Sequence, residues 1–231
     1  MTNCGFAGIG LMGIVLCGTA LAAQDFGHYR EFELGSDATA VSTLTGTAAS
    51  DLKVIHERPA LIQELTWRPK YGAQRPAPVD LQSVEQMVFA FHESRLFQVT
   101  IDYDQTQTEG LGDADMIEAV SAIYGSPLLL SGTRRPAAVS AYGDPGTLIA
   151  QWGNVDDSVK LYRLSSYTTR FRLVVTAEPT AALVRTAAAR ALVLDASEAP
   201  QREAAREKKE TDDRRAAAEK ARSTNKPTFR P

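Results

Sequence analysis

The clearest structural signal in the chain is VEQMVFAFHESRLFQVTIDY at residues 84–103. Large apolar side chains alternate with other residues in both halves of this stretch, as in strands with one buried face. They are Met87, Phe89, Phe91, Phe97, Val99 and Ile101. The polar run His92-Glu93-Ser94-Arg95 separates the two halves. The pattern predicts an antiparallel β-hairpin that turns at residues 92–95.

Further strands are predicted on both sides of this hairpin. A second hairpin is expected over residues 159–176, with its turn near 165–169, and a strand at 147–152 precedes it. Residues 53–67 also have strand character. Because Pro59 lies inside that run and cannot donate to a sheet, we expect an edge strand, a bulge or two shorter strands there.

Two capped helices precede the strand regions. Ser36-Asp37 provide an N-cap for a helix over residues 38–44, and Gly46 stands in the expected C-terminal position. A second helix is predicted over residues 113–124, with an acidic first turn and Gly125 as its stop. Its apolar face is expected to comprise Met116, Ile117, Val120 and Ile123.

These elements recur along the chain. The segment AVSTLTG at 40–46 aligns with AVSAIYG at 119–125, which lies 79 positions later. The hairpins add two matches at a spacing of 74 positions: Phe97 with Phe171, and Val99 with Leu173. We therefore consider two repeat units, 29–104 and 111–178, each a helix followed by about three antiparallel strands. Chance similarity between amphipathic helices and hairpins is the alternative. The predicted class is α+β.

The tandem helix-then-sheet pattern resembles the β-lactamase-inhibitor-protein fold and the related SmpA/OmlA outer-membrane assembly lipoproteins. The residues that carry this resemblance are Leu34-Gly35-Ser36, Val41, Leu44, Gly46, Asp113, Val120 and Ile123-Tyr124-Gly125-Ser126-Pro127. The likeness covers roughly residues 29–178. The chain lacks the disulfides of the inhibitors and the lipidated cysteine of the assembly proteins. The resemblance implies a protein-binding function without indicating the partner.

The N-terminal segment predicts export. No charged side chain occurs before Asp25, residues 6–16 are apolar, and Ala20-Leu21-Ala22 matches a small-x-small cleavage pattern. We expect a signal peptide over residues 1–23, a periplasmic or secreted mature protein, and no stable membrane span after cleavage. An uncleaved membrane anchor is the alternative, since the uncharged stretch is just long enough to span a bilayer.

Cysteine usage narrows the possible chemistry. Cys4 and Cys17 both lie inside the predicted signal peptide. A mature chain without them has no disulfide, no thiolate nucleophile and no sulfur-ligated metal. The expected α+β domain, residues 24–197, must therefore rely on its hydrophobic core for stability.

The composition changes near residue 198. Residues 1–197 carry 15 Lys+Arg and 21 Asp+Glu, whereas residues 198–231 carry 10 and 7. The folded part is therefore not basic enough to predict nucleic-acid binding. An Ala-rich docking helix is expected at 181–194, and Pro200 should break or kink it. Its predicted apolar stripe is Leu183, Val184, Ala187, Ala191 and Leu194.

The last 34 residues form a charged tail. Between Gln201 and Arg222 no apolar residue is larger than alanine, and opposite charges recur four positions apart, which predicts a solvated, partly helical segment. The end of the tail is a candidate partner-binding motif, with Lys226, Phe229 and Arg230 as its contact residues. A frayed terminus is the alternative.

Few residues suggest catalysis or metal binding. One hypothesis is a small periplasmic hydrolase that uses His56 or His92 with Asp102 or Asp104. A zinc site from the same two histidines and a carboxylate is a further possibility, although neither histidine belongs to a His-Glu-x-x-His motif. Residues 102–110 also open like a calcium loop but have Gln107 where glycine is required.

These observations favour a non-enzymatic protein-binding or cell-envelope assembly module. We expect its partner to be another envelope or periplasmic protein, and we assign it no cofactor and no metal. The histidine-dependent hydrolase and a calcium-stabilised structural protein remain the alternatives.

Overall fold

A computed structural model describes residues 25–69, 81–130, 146–165, 170–227 and 230. The predicted signal peptide, residues 1–23, lies outside these ranges. The described elements are β1 (His28–Tyr29), β2 (Phe32–Glu33), α1 (Ala38–Thr45), β3 (Lys53–His56), β4 (Ile62–Trp67), β5 (Val84–His92), β6 (Arg95–Tyr103), α2 (Asp113–Tyr124), β7 (Leu129–Leu130), β8 (Thr147–Gly153), β9 (Asp157–Arg163), β10 (Phe171–Ala177) and α3 (Glu178–Asn225). The chain is an α+β protein, as predicted.

The central hairpin of β5 and β6 forms with the predicted turn. The expectation that Phe97 shares the face of Val99 and Ile101 was wrong, because the β5–β6 register shifts beside Phe97. Phe97 packs with Ala90 and Ala181 instead.

The two turn residues of this hairpin, Glu93 and Ser94, have φ angles of 49° and 63°. Two consecutive positive φ angles match the right-handed twist of the flanking strands. The Glu93 carboxylate accepts a hydrogen bond from the Leu61 N–H at 2.9 Å, and the Ser94 carbonyl accepts one from the Ala38 N–H at 3.0 Å. The turn is thus tied both to the start of β4 and to the start of α1.

All the strands from β3 to β10 belong to one sheet, in the order β3-β4-β5-β6-β10-β9-β8-β7. Each half is an antiparallel meander, and the halves join where β6 pairs with β10. Thr100 lies directly opposite Val174 at this junction, and these residues are equivalent under the 74-residue spacing. The strand order is therefore symmetric about this pair. Among the described residues, each half has four strands, one more than the expected number of about three.

The extra strand in the first half arises at Pro59. Residues 53–67 divide into the two strands β3 and β4, with Pro59 between them. A bulge, which was another alternative for this segment, is also present. The register of the β3–β4 pair shifts between Val54 and His56. β3 forms one edge of the sheet, where a proline-terminated strand is tolerated.

Both predicted helices begin and end as the sequence indicates. The Asp37 carboxylate accepts a hydrogen bond from the Thr39 N–H, and Gly46 adopts the left-handed conformation after α1. In α2, Val120 and Tyr124 are buried, whereas Ile123 is 65% exposed. The expectation that Ile123 faces the core was wrong. The buried stripe is centred on Val120 and Tyr124, and this leaves Ile123 on the solvent-facing flank.

The hydrophobic core lies on one face of the sheet. Both short helices and the β1–β2 hairpin contribute buried side chains to it. From these elements come Tyr29, Phe32, Ala38, Val41, Met116, Val120 and Tyr124. The sheet contributes large side chains that alternate along its strands, including Phe89, Ile101 and Leu173. The other face of the sheet is therefore left to a different set of side chains.

The third helix, α3, continues through Pro200 to Asn225, so of the predicted break or kink at Pro200 the break is absent. Its buried residues are Ala181, Ala187 and Ala191. Leu183 is 61% exposed and Leu194 is also exposed, which corrects their assignment to the docking stripe. Every residue from 199 to 227 is exposed. The expected charged, solvated segment is thus the outer part of one helix of about 72 Å, at ~1.5 Å per residue.

Candidate interaction surface

The face of the sheet opposite the core carries two rows of side chains that are partly or fully exposed, except for the buried Asp102. Cross-strand pairs place directly opposed residues on the same face. The first row is Thr66, Val88, Thr100, Val174, Lys160 and Gln151. The second row is Gln86, Asp102, Arg172, Tyr162 and Leu148. We call these two rows the open face. Across six strands, the first row spans about 24 Å at ~4.8 Å per strand.

A bidentate ion pair lies at the junction of the two halves on the open face. Arg172 Nε donates to Asp102 Oδ1 at 2.6 Å, and its second nitrogen donates to Oδ2 at 2.9 Å. Both side chains are largely buried, at 11% and 17% exposure for Asp102 and Arg172. Fork-to-fork geometry of this kind fixes both planar groups. The pair therefore gives the open face a rigid polar centre.

A second charged group marks the start of α3. Glu178 accepts hydrogen bonds from the Ser158 hydroxyl at 2.6 Å and from the Lys160 ammonium group. Burial raises the pKa of Glu178, but these two hydrogen bonds and the charges of Lys160 and Arg185 together outweigh it and hold the pKa below its ordinary value. Burial and the nearby Glu178 raise the pKa of Tyr162. These contacts anchor the first turn of α3 to β9.

From this anchor, α3 covers a third row of the same face. Ala181 packs with Ala90 and Phe97 of the β5–β6 hairpin, and further along the helix Glu198 forms an ion pair with Arg58 at 2.9 Å. The residues of the covered row are Glu64, Ala90, Gln98, Thr176 and Ser158. All of these except Gln98 are buried. The face is thus divided into a row covered by α3 and the two rows of the open face.

The predicted tail residues lie far from this surface along the chain. Lys226 follows α3 directly and is exposed, and Arg230 is exposed as well. Phe229 lies outside the described residues. The structure therefore shows two of the three candidate contact residues accessible, and it places neither against another described element.

The histidines and aspartates of the hydrolase hypothesis are not brought together. His56 and His92 lie on either side of Ile62, two strands apart. Asp102 pairs with Gln86 at the opposite end of the β5–β6 hairpin, about 20 Å from His92 at ~3.4 Å per residue. The carboxylate of Asp102 is also engaged by Arg172. Asp104 lies beyond it in chain order, in the loop that follows β6.

That loop has the hydrogen bonds of a turn. Asp104 Oδ1 accepts from the Gln107 N–H at 3.1 Å, and the Thr108 hydroxyl donates to the Asp104 carbonyl at 2.8 Å. Asp113, the first residue of α2 after this loop, forms an ion pair with Arg163. Across the described part of the chain, no group of three His, Cys, Asp or Glu side chains converges as a metal site requires.

Comparisons of the chain with protein-family models, with curated proteins and with solved structures found no match. Among the residues that the structure describes, no helix combines the length and the apolar character needed to cross a membrane.

The sequence interpretation did not identify the open face. The available signal was the polar half of the alternation, Gln98-x-Thr100-x-Asp102 in β6 and Arg172-x-Val174-x-Thr176 in β10. Only the pairing of β6 with β10 places these residues next to one another. The resulting arrangement is a broad, rigid surface in which ion pairs, amides, hydroxyls and a tyrosine are presented side by side.

Proposed function

We propose that the protein is a non-enzymatic protein-binding or cell-envelope assembly module that works outside the cytoplasm and binds its partner on the open face. The observation that carries this proposal is the two rows of partly exposed side chains across six paired strands. Tyrosine and arginine are the residue types enriched at the centres of protein interfaces. A surface formed by paired strands also needs little reordering on binding, which lowers the entropy lost.

The composition of the open face supports a macromolecular partner. Its side chains form rows across the sheet, so many weak contacts can be made over a large area. Protein interfaces typically bury about 800 Å² on each partner. The export signal predicted for residues 1–23 supports a partner in the envelope or the periplasm.

The experiment is crosslinking and co-purification of the full chain from its native host. Two variants alter the open face separately: Thr66→Arg adds bulk and charge to the first row, and Tyr162→Ser removes an aromatic group from the second. The matched control is Val155→Arg, because Val155 is 89% exposed in the β8–β9 turn. A fourth chain that ends after Ala199 removes the solvated part of α3 and keeps the Arg58–Glu198 pair.

Loss of a specific partner in Thr66→Arg and Tyr162→Ser, with retention in the other two chains, supports the open face as the binding surface. Loss only in the chain that ends after Ala199 would place binding on the tail instead. A chain that captures no specific partner in any form would contradict the binding-module proposal.

A further inference from the structure

The contact between α3 and the sheet is made mainly by small side chains. Its buried helix residues are three alanines, Ala181, Ala187 and Ala191, with Val184 partly buried beside them. Burial contributes about 0.8 kcal/mol per CH₂ group, so each alanine adds little. The large side chains of Leu183 and Val193 face solvent. This part of α3, residues 181–194, is therefore held by few contacts; we call it the cover segment.

The path of the cover segment follows from its two ends. Ala181 packs on Ala90 of β5, and Glu198 reaches Arg58 in the loop between β3 and β4. A helix that runs from β5 to that loop must pass over β4. The buried Ala187 and Ala191 lie between these two ends. This path takes the segment across β4 on the face of the sheet that carries the buried side chains of Ile62 and Glu64.

Glu64 of β4 is an ionisable residue that is buried, and the described part of the chain offers one of its oxygens no hydrogen-bond partner. It is 8% exposed, and its Oε1 atom is buried with no hydrogen-bond partner among the described residues. Its neighbours across the sheet are Lys53 of β3 and Ala90 of β5. Burial raises the pKa of the Glu64 carboxyl to about 7, although Lys53 acts in the opposite direction. A buried carboxylate without a partner destabilises the structure that buries it.

The other charged and titratable groups near Glu64 are few. In the strands, Lys53 lies directly opposite, and His56 and His92 flank Ile62 at the next position. In the cover segment, Arg185 is exposed and Arg190 lines an apolar groove with Pro59. Beyond its ends, Glu178 is bonded to Lys160 and Ser158, and Glu198 to Arg58. No described residue of the segment thus offers Glu64 a hydrogen bond.

We propose that the cover segment is a pH-sensitive cover, which lies on the sheet while Glu64 is protonated and is released when Glu64 ionises. Release would expose the covered row beside the open face, with the apolar side chains of Ile62, Ala90 and Phe97. The same face would then present an apolar strip next to its polar rows. The proposal concerns the helix alone and stands whether or not the open face binds a protein.

The pH window follows from the direction of the pKa change. The ordinary pKa of a glutamate carboxyl is 4.5, and burial raises the pKa of Glu64 to about 7. The covered state therefore retains the proton more strongly. Its stability relative to the released state is greatest below pH 4.5 and falls as pH rises to about 7. Glu178 has a lowered pKa, so its ionisation stabilises the covered state as pH rises. This effect occurs below pH 4.5.

The test is hydrogen exchange of the full chain between pH 5 and pH 8, corrected for the intrinsic exchange rate at each pH. We expect protection of the amides in residues 185–194 to fall by roughly 10- to 100-fold across this range, since a pKa change of two units corresponds to ~100-fold. Amides of β6 and β10 should keep their protection. Glu64→Gln, which retains both histidines, should give a flat profile for the cover segment.

Two results would overturn the proposal. One is a cover segment whose protection does not depend on pH in the natural chain. The other is an equal fall in the natural chain and in Glu64→Gln, which would assign the pH dependence to other groups. Glu64→Leu provides a second variant that removes the carboxyl entirely, and its profile should also be flat. These outcomes are independent of whether any partner is captured by the open face.

Discussion

Arg172 of β10 forms a bidentate ion pair with Asp102 of β6, exactly where the two halves of the sheet meet. The position equivalent to Arg172 under the 74-residue spacing is Gln98, and the position equivalent to Asp102 is Thr176. The other end of the junction therefore pairs Gln98 with Thr176. Charge marks one end of the junction only, so the symmetry of strand order does not extend to the chemistry of the open face.

Removing one member of this pair should destabilise the fold. Arg172→Met leaves the largely buried Asp102 carboxylate without its two hydrogen bonds. We expect a loss of about 2–4 kcal/mol in the free energy of unfolding, measured by urea denaturation at pH 7. The matched control is Arg163→Met, which breaks the more exposed pair with Asp113 and should lose less than about 1 kcal/mol. Equal losses in the two variants would show that burial of the Asp102–Arg172 pair contributes nothing.

Glu178 predicts an acid-dependent contribution to stability. Its pKa is lowered in the folded protein, so its contribution is present above pH 4.5 and is lost as pH falls through the folded pKa. Glu178→Gln should lower the free energy of unfolding by about 1 kcal/mol at pH 7. The difference from the natural chain should narrow as the pH is lowered toward 3. Thermal denaturation at both pH values measures it, and a difference that widens in acid would contradict the assignment.

Ser94 provides a test of the strain in the central turn. Because Ser94 has a φ of 63°, a glycine there avoids the steric cost of the left-handed region. Ser94→Gly should raise the free energy of unfolding by about 0.5–1 kcal/mol. Glu93→Gly is the control, since it relieves the same kind of strain but removes the hydrogen bond to the Leu61 N–H. It should gain less than Ser94→Gly, and the reverse order would rule out this account.

The solvated part of α3 should add nothing to the stability of the domain. Residues 199–227 are exposed throughout. A chain that ends after Ala199 keeps the Arg58–Glu198 pair, and its free energy of unfolding should change by less than about 0.5 kcal/mol. Thermal denaturation followed in the near ultraviolet isolates the domain. A larger loss would reveal a contact between the outer helix and the domain.

Local sequence signals were sufficient for most of the individual elements. Asp37 and Gly46 bound α1 because a side-chain cap and a left-handed glycine act within one helical turn. The alternation in residues 84–103 predicts the β5–β6 hairpin for the same reason, since both strands and their turn are contiguous. Ile123 was misassigned because two helical flanks are apolar, and only the neighbouring elements determine which flank is buried.

The candidate surface was less accessible to sequence reasoning. The sequence suggested Asp102 only as a calcium ligand or a catalytic residue, and it suggested no role for Arg172. Their pairing could not be predicted because 70 positions separate them. Glu64 gave no signal either, since a glutamate in a strand ordinarily faces water. Its burial depends on neighbours distant in sequence, such as Ala90 of β5, against which Ala181 of α3 packs.

By itself, the sequence determined α1, α2, the β5–β6 hairpin and the strands β8 to β10, and how charge separates the domain from the outer part of α3. Those features depend on interactions over a few residues, and composition and periodicity record them directly. Tertiary structure alone decided that β6 pairs with β10, that Arg172 meets Asp102, and that α3 packs on the β5–β6 hairpin. Such relationships depend on how whole faces of helices and sheets pack together. The packing is determined by the total apolar surface that it buries, which no local sequence pattern records.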